Sequence, residues 1–207
     1  MIENIEPSEI EKRSFEIISE LLGGKILAPE NEQVIKRAIH ATADLDYADD
    51  LVFSEGAVKK GIAALRSGCD IVTDTNMARA GINKSVLSRL GGRVHCFMSD
   101  EDVASEAKAR GITRAAVSME KASHIEKSCI FAIGNAPTAL IRLKELCDEG
   151  HIRPALVIGV PVGFVNVAES KELIIMSDMP HIVARGRKGG SSVAAAVVNA
   201  LLYQIMR

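Results

Sequence analysis

Residues 129–150 read CIFAIGNAPTALIRLKELCDEG, and they contain the unit from which the rest of the fold follows. The first five are apolar at every position and are bounded by Ser128 and Gly134. A run this short without alternation is expected of a strand covered on both faces, as in a parallel sheet. Pro137 can then open a helix that stops at Gly150. Strand followed by helix is most of one parallel crossover.

Working outward, the unit recurs. Runs that are apolar on nearly every residue stand at 69–73 (CDIVT), 93–98 (RVHCFM), 155–160 (ALVIGV) and 181–184 (HIVA). Between them Ser54 can cap a helix that stops at Gly68, and Gly190 leads into SSVAAAVVNALLYQI. Five such strands joined by right-handed crossovers predict an α/β fold, an open doubly wound sheet of about five parallel strands with helices on both faces. Two helices precede the sheet: Ser8 and Glu11 form a capping box for the first, and Pro29 opens the second. The acidic stretch DLDYADD at 44–50 joins them to the rest. With 207 residues and no linker or repeat, the whole chain, 1–207, is expected to be one domain.

Composition narrows the function. A formal net charge of -2 supplies no global field for nucleic acid or an anionic membrane, so any anion site must be built locally. Apolar residues make up 47% of the chain, yet no run approaches the roughly 18 to 20 residues that cross a bilayer. The start, MIENIEPSEIEKR, lacks the basic and then apolar pattern of a secretion signal, so a soluble, cytoplasmic protein is expected. Cys69, Cys96, Cys129 and Cys147 form no CxxC pair and read as buried thiols in a reducing compartment.

In open α/β sheets ligands bind beyond the carboxyl ends of the strands. The segments expected there are DTNMARAG at 74–81, GNAPT at 134–138, GVPVGFVN at 159–166 and RGRKGGS at 185–191. The last concentrates positive charge, with Arg185, Arg187 and Lys188 just ahead of two glycines and a helix start, and reads as an anion cradle. A glycine-rich turn with solvated basic residues is the bland alternative. Lys188 precedes the glycines, unlike a P-loop lysine, and no strand runs into GxGxxG. His40 is the second lead. It projects opposite the apolar stripe Val34, Ile35, Ala38 and Ile39, with Lys36, Arg37 and Asp44 at helical spacing. A histidine beside a carboxylate can act as a general acid near neutral pH, although solvated surface histidines are common. Ser14 shares a helix face with Ile10, Ile17 and Leu21, so it either bonds back to its own helix or points into a pocket. Arg114 falls in the first turn of a helix, where a cation is unfavourable unless an anion offsets it. The other histidines lack metal-ligand spacing, and His95 and His181 read as satisfied core residues; no metal site is expected.

The segments EKRSF at 11–15, IHAT at 39–42, LVFS at 51–54, GNAPTAL at 134–140, PVGFVNVAESK at 161–171 and ARGRKGGSS at 184–192 together resemble the precorrin-8X methylmutase family, also called cobalt-precorrin-8 methylmutase. They run in collinear order over almost the whole chain. The resemblance implies a Rossmann-like fold, a homodimer with sites near the subunit interface, and a methyl shift from C-11 to C-12 of a tetrapyrrole, giving hydrogenobyrinate or cobyrinate. It also implies that His40 is the catalytic proton donor and acceptor and that Ser14 and Arg114 lie near the substrate. Thr75, Met77, Arg79 and Asn135, in the loops after strands one and three, join Arg185 and Lys188 as expected substrate-binding residues.

A sigmatropic methyl shift needs no redox cofactor, nucleotide or metal from the protein, so no cofactor is expected. Protonating a ring nitrogen would polarise the conjugated system, and the ring's carboxylates suit arginine, lysine and helix N-termini. Aromatic residues are only 3% of the chain, so the flat ring is expected to pack on aliphatic walls such as Val160, Val162 and Met77. Two competing readings use the same loops: an enzyme acting on a phosphorylated metabolite, and a non-catalytic corrinoid-binding module with no use for His40.

Overall fold

The computed structural model describes residues 5–206, so the first four residues of the polar start lie outside the described residues. A short turn at Pro7–Glu9 leads into α1 (Ile10–Leu21), followed by α2 (Glu32–Thr42) and α3 (Tyr47–Asp50). Then come β1 (Leu51–Phe53), α4 (Ala57–Arg66), β2 (Asp70–Thr73), α5 (Asn76–Gly81), α6 (Lys84–Arg89) and β3 (Val94–His95). The remainder is α7 (Glu101–Arg110), α8 (Arg114–Ala122), β4 (Cys129–Ile133), α9 (Pro137–Asp148), β5 (Leu156–Gly159), α10 (Val167–Ile175), β6 (His181–Ala184) and α11 (Ser191–Met206).

The sheet has six strands in the order β1-β6-β5-β4-β2-β3. All five expected strands are present and mutually parallel. The sixth, β1, pairs antiparallel with β6, Leu51 opposite Ala184, and forms one edge. Strand side chains alternate between two apolar layers. Ile130, Ala132, Leu156, Ile158 and Ile182 face α2, α4 and α11; Phe131, Ile133, Val157 and Val183 face α8, α9 and α10. Both faces of the central strands are therefore covered, which is why β4 and β5 carry unbroken apolar runs. Among the described residues no helix is long and apolar enough to cross a membrane.

Local expectations at the helix starts need correction. No side-chain capping bond forms at α1, because Pro7 starts a separate turn and Glu9 takes the cap position. Pro29 lies in a turn, and α2 begins at Glu32. Gly56 caps α4, while the Ser54 hydroxyl accepts the His181 N–H (2.8 Å), tying β1 to β6. Pro137 and Ser191 do open their helices. Cys69, Cys96 and Cys129 are buried, with burial pushing the Cys69 and Cys129 thiols up to about 12. His181, buried, bonds the Met179 carbonyl (2.9 Å) as a satisfied core histidine should, whereas His95 bonds Asp70 (2.8 Å) but is only half-buried, because β3 is an edge strand.

Candidate active site

The chain order reverses between β2 and β4, the switch point where α/β sheets usually open a crevice. Here a side chain closes it. Asp74, following β2 and fully buried, accepts the N–H groups of Gly134 (2.9 Å), Asn135 (2.8 Å) and Ala136 (2.6 Å) after β4. Burial pushes its carboxyl up, against the three donors that favour the charged form. Gly134 is required at this crossing, because a Cβ there would lie 2.8 Å from Gly190 O and Ser191 Cα.

The next loops along the edge are held differently. After β6 the loop 185–190 carries the basic residues. Arg185 donates to Glu172 (2.9 Å), and Lys188 pairs with Asp44 (2.7 Å) and Asp46 (2.5 Å). These pairs hold Asp44 below the usual carboxylate range and Lys188 above the usual lysine range. Arg187 is exposed and has no ion pair among the described residues. Beneath the loop lies Lys171, fully buried, whose ammonium donates to the carbonyls of Gly186 (2.9 Å) and Lys188 (2.7 Å). Gly189 crosses so close to Val160 that a Cβ would sit 2.1 Å from its carbonyl oxygen.

Lys188 also recruits His40. Asp44 follows α2 by two residues, so its pair with Lys188 brings the end of the histidine's helix to the basic loop. His40 is exposed, and its ring meets the edge of Phe15 at 6.0 Å between centroids. Phe15 belongs to the EKRSF segment, which clamps α1 onto α2. Glu11 takes a bidentate pair from Arg37 (2.7 and 2.8 Å), and the Arg37 guanidinium lies between the rings of Phe15 and Tyr203. The polar neighbours expected of His40 therefore have partners of their own: Lys36 bonds Glu32, Arg37 bonds Glu11, and Asp44 bonds Lys188.

Ser14 takes the commoner of its two expected options and donates to Ile10 O (2.9 Å). Its helix face is not inward, since Ile10, Ile17 and Leu21 are exposed. Thr75 caps α5 by accepting the Ala78 N–H (3.0 Å) and meets the Ser191 hydroxyl (2.7 Å), locking α5 to the start of α11. Met77 and Arg79 are exposed on α5, and Asn135 is exposed beside the Asp74 cradle. Arg114 is exposed at the start of α8, and its neighbour Thr113 bonds Thr138 (2.8 Å) at the start of α9. Three contacts thus stand along the carboxyl edge: Phe15 with His40, Asp44 with Lys188, and Ser191 with Thr75, the last beside the Asp74 cradle.

As walls for a flat ligand, Val162 and Met77 are available but Val160 is not, because it is fully buried under the loop. Phe164, 85% exposed between Val162 and Val165, is an aromatic surface that composition alone did not single out. A cleft of about 850 Å³ lined by Lys60, Lys144, Arg153 and Met179 lies at the amino ends of β5 and β6, away from these groups.

A family profile described as precorrin-8X methylmutase matches residues 9–204. A cobalt-precorrin-8 methylmutase of Salmonella typhimurium is 47% identical over 206 residues, covering 97% of this chain and 96% of the relative. A precorrin-8X methylmutase of Pseudomonas aeruginosa is 46% identical over 173 residues, 82% of each chain. Among solved structures, a precorrin-8x methyl mutase from Thermus thermophilus superposes with a TM-score of 0.88 at 39% identity, covering 95% of both chains.

Proposed function

The chain belongs to the precorrin-8X methylmutase family, and from that premise we propose that it is an isomerase moving a methyl group from C-11 to C-12 of precorrin-8X or cobalt-precorrin-8 in cobalamin biosynthesis. The observation that carries the mechanism is the Lys188–Asp44 pair, which joins the end of the His40 helix to the cationic loop. A tetrapyrrole with anionic arms needs both parts at once. Arg185, Arg187 and Lys188 take carboxylates, and Met77, Val162 and Phe164 offer apolar surface to the ring. His40 protonates a ring nitrogen, which polarises the conjugated system for the shift, and then recovers the proton. Ser14, Thr75, Arg79, Arg114 and Asn135 complete the lining. No step asks the protein for a redox group or a metal; cobalt, when present, arrives with the substrate.

The functional unit is a cytoplasmic homodimer of single-domain subunits. Ile10, Ile17 and Leu21 leave an apolar face exposed on α1, the helix that carries Phe15 to His40, and a second copy covering it would border the site. Gel filtration should give about twice the 22.2 kDa chain mass. A stable, fully active monomer would remove the shared-site idea. The activity itself is tested by mixing purified protein with metal-free and cobalt-containing precorrin-8 and following the visible spectrum. Conversion of one of them is expected, and a folded protein that converts neither contradicts the proposal.

A further inference from the structure

A fully buried lysine is costly unless its ammonium is well bonded, so its partners deserve a functional account. Lys171 lies on the apolar side of α10, with Val167 one turn before and Ile174 one turn after, both buried. Its two acceptors, Gly186 O and Lys188 O, belong to the cationic loop, and the carbonyl between them, Arg187 O, accepts from Gly163 N (3.2 Å). Two carbonyls are therefore turned to the buried ammonium, and the one between them to the loop after β5. In a trans peptide the N–H points opposite to the C=O. The N–H groups of Arg187 and Gly189 thus point away from Lys171, and among the described residues neither has a hydrogen-bond partner.

We propose that Lys171 is a positioning residue: by drawing the Gly186 and Lys188 carbonyls inward it turns the Arg187 and Gly189 N–H groups outward as a backbone cradle for one carboxylate of the tetrapyrrole, with the Arg187 side chain alongside. N–H groups of one turn directed to the same side form an anion-binding concavity, and the buried ammonium behind them adds a fixed positive charge. The inference rests on the tetrapyrrole reading above and adds which atoms of the loop bind and what holds them.

Burial lowers the Lys171 pKa to about 8, with Asp50 opposing the shift. The other charged groups around this loop are the Arg185–Glu172 pair, Lys188 with Asp44 and Asp46, and Arg187. Lys188 is held above the ordinary lysine range, and arginines stay charged, so Lys171 is the group expected to lose charge between pH 8 and 10.

The test titrates hydrogenobyrinate and, separately, cobyrinate into the parent and into Lys171→Met, with steady-state kinetics beside it. Losing one charge-assisted carboxylate contact should weaken product binding and raise KM by about ten- to a hundredfold, with kcat within a few-fold, because the carboxylate is bound in ground and transition states alike. The parent should also lose affinity by at least about threefold from pH 7 to 10, as the ammonium behind the cradle is neutralised. That second measurement needs no variant, so it decides the matter even if Lys171→Met fails to fold. Parent-like affinity in folded Lys171→Met, or a parent affinity flat from pH 7 to 10, overturns the cradle while leaving the methylmutase reading intact. A parent that binds neither hydrogenobyrinate nor cobyrinate overturns both.

Discussion

The loops after β4 and β6 leave the same edge of one sheet, and each is held by a fully buried charge, but the charges have opposite sign and the consequences diverge. Asp74 takes the N–H groups of Gly134, Asn135 and Ala136, so the backbone of that loop has no donors left there for a ligand. Lys171 takes the carbonyls of Gly186 and Lys188, so the donors of that loop remain outward. Two glycine-containing turns that look alike in sequence are therefore a staple and a receptor. The sign of the buried charge decides which groups of the backbone face the ligand.

The largest effect expected from this difference is on stability. Asp74→Asn should cost about 3 kcal/mol in chemical denaturation, since a neutral amide cannot satisfy three buried N–H donors as a carboxylate does. A loss under about 1 kcal/mol would mean that the cradle is not a staple.

Lys171 should show its opposite character in the pH dependence of folding. An ordinary lysine keeps its proton to about 10.5, whereas Lys171 releases it near 8 in the fold. Between those values the unfolded chain binds more protons, so stability should rise with pH, by about 1 to 3 kcal/mol, and level off above the window. Lys171→Met should lack the rise; an identical slope in parent and variant would assign it to another group.

Arg187→Ala should weaken product binding about tenfold, since the exposed guanidinium is available to a carboxylate. Arg185→Ala and Lys188→Ala should each cost only a few-fold and affect affinity more than turnover, because Glu172, Asp44 and Asp46 already share these cations. Equal losses at all three positions, measured by direct titration, would erase the distinction between the shared and the available cations.

The sheet was legible because parallel strands buried on two sides must be mostly apolar, and 129–133 is so at every position while its four counterparts are so at most positions. β1 was missed because three residues, Leu51 to Phe53, carry no period, and its place depends on β6, more than 120 residues away. The basic loop and His40 could be read because charge density and helix face are local properties. Asp74 could not be given its role, since its partners lie 60 to 62 residues further along the chain. Lys171 did leave a signal, a charge set one turn from Val167 and Ile174 on an apolar stripe, and that pattern marks a buried cation in search of acceptors. The inward reading of the Ser14 helix face failed for a related reason: Ile10, Ile17 and Leu21 have the helical period of a core face, but among the described residues that stripe is left exposed.

The claim on which the account turns is that His40 supplies a proton while the cationic loop supplies binding. Single-turnover conversion by His40→Asn, followed by the colour of the ring beside a titration with product, measures both at once. Asparagine has a similar size and cannot donate a proton as an acid, so turnover should fall by at least about a hundredfold with product affinity changed only modestly. Turnover within a few-fold of the parent would contradict the account and leave His40 an ordinary exposed histidine packed against Phe15.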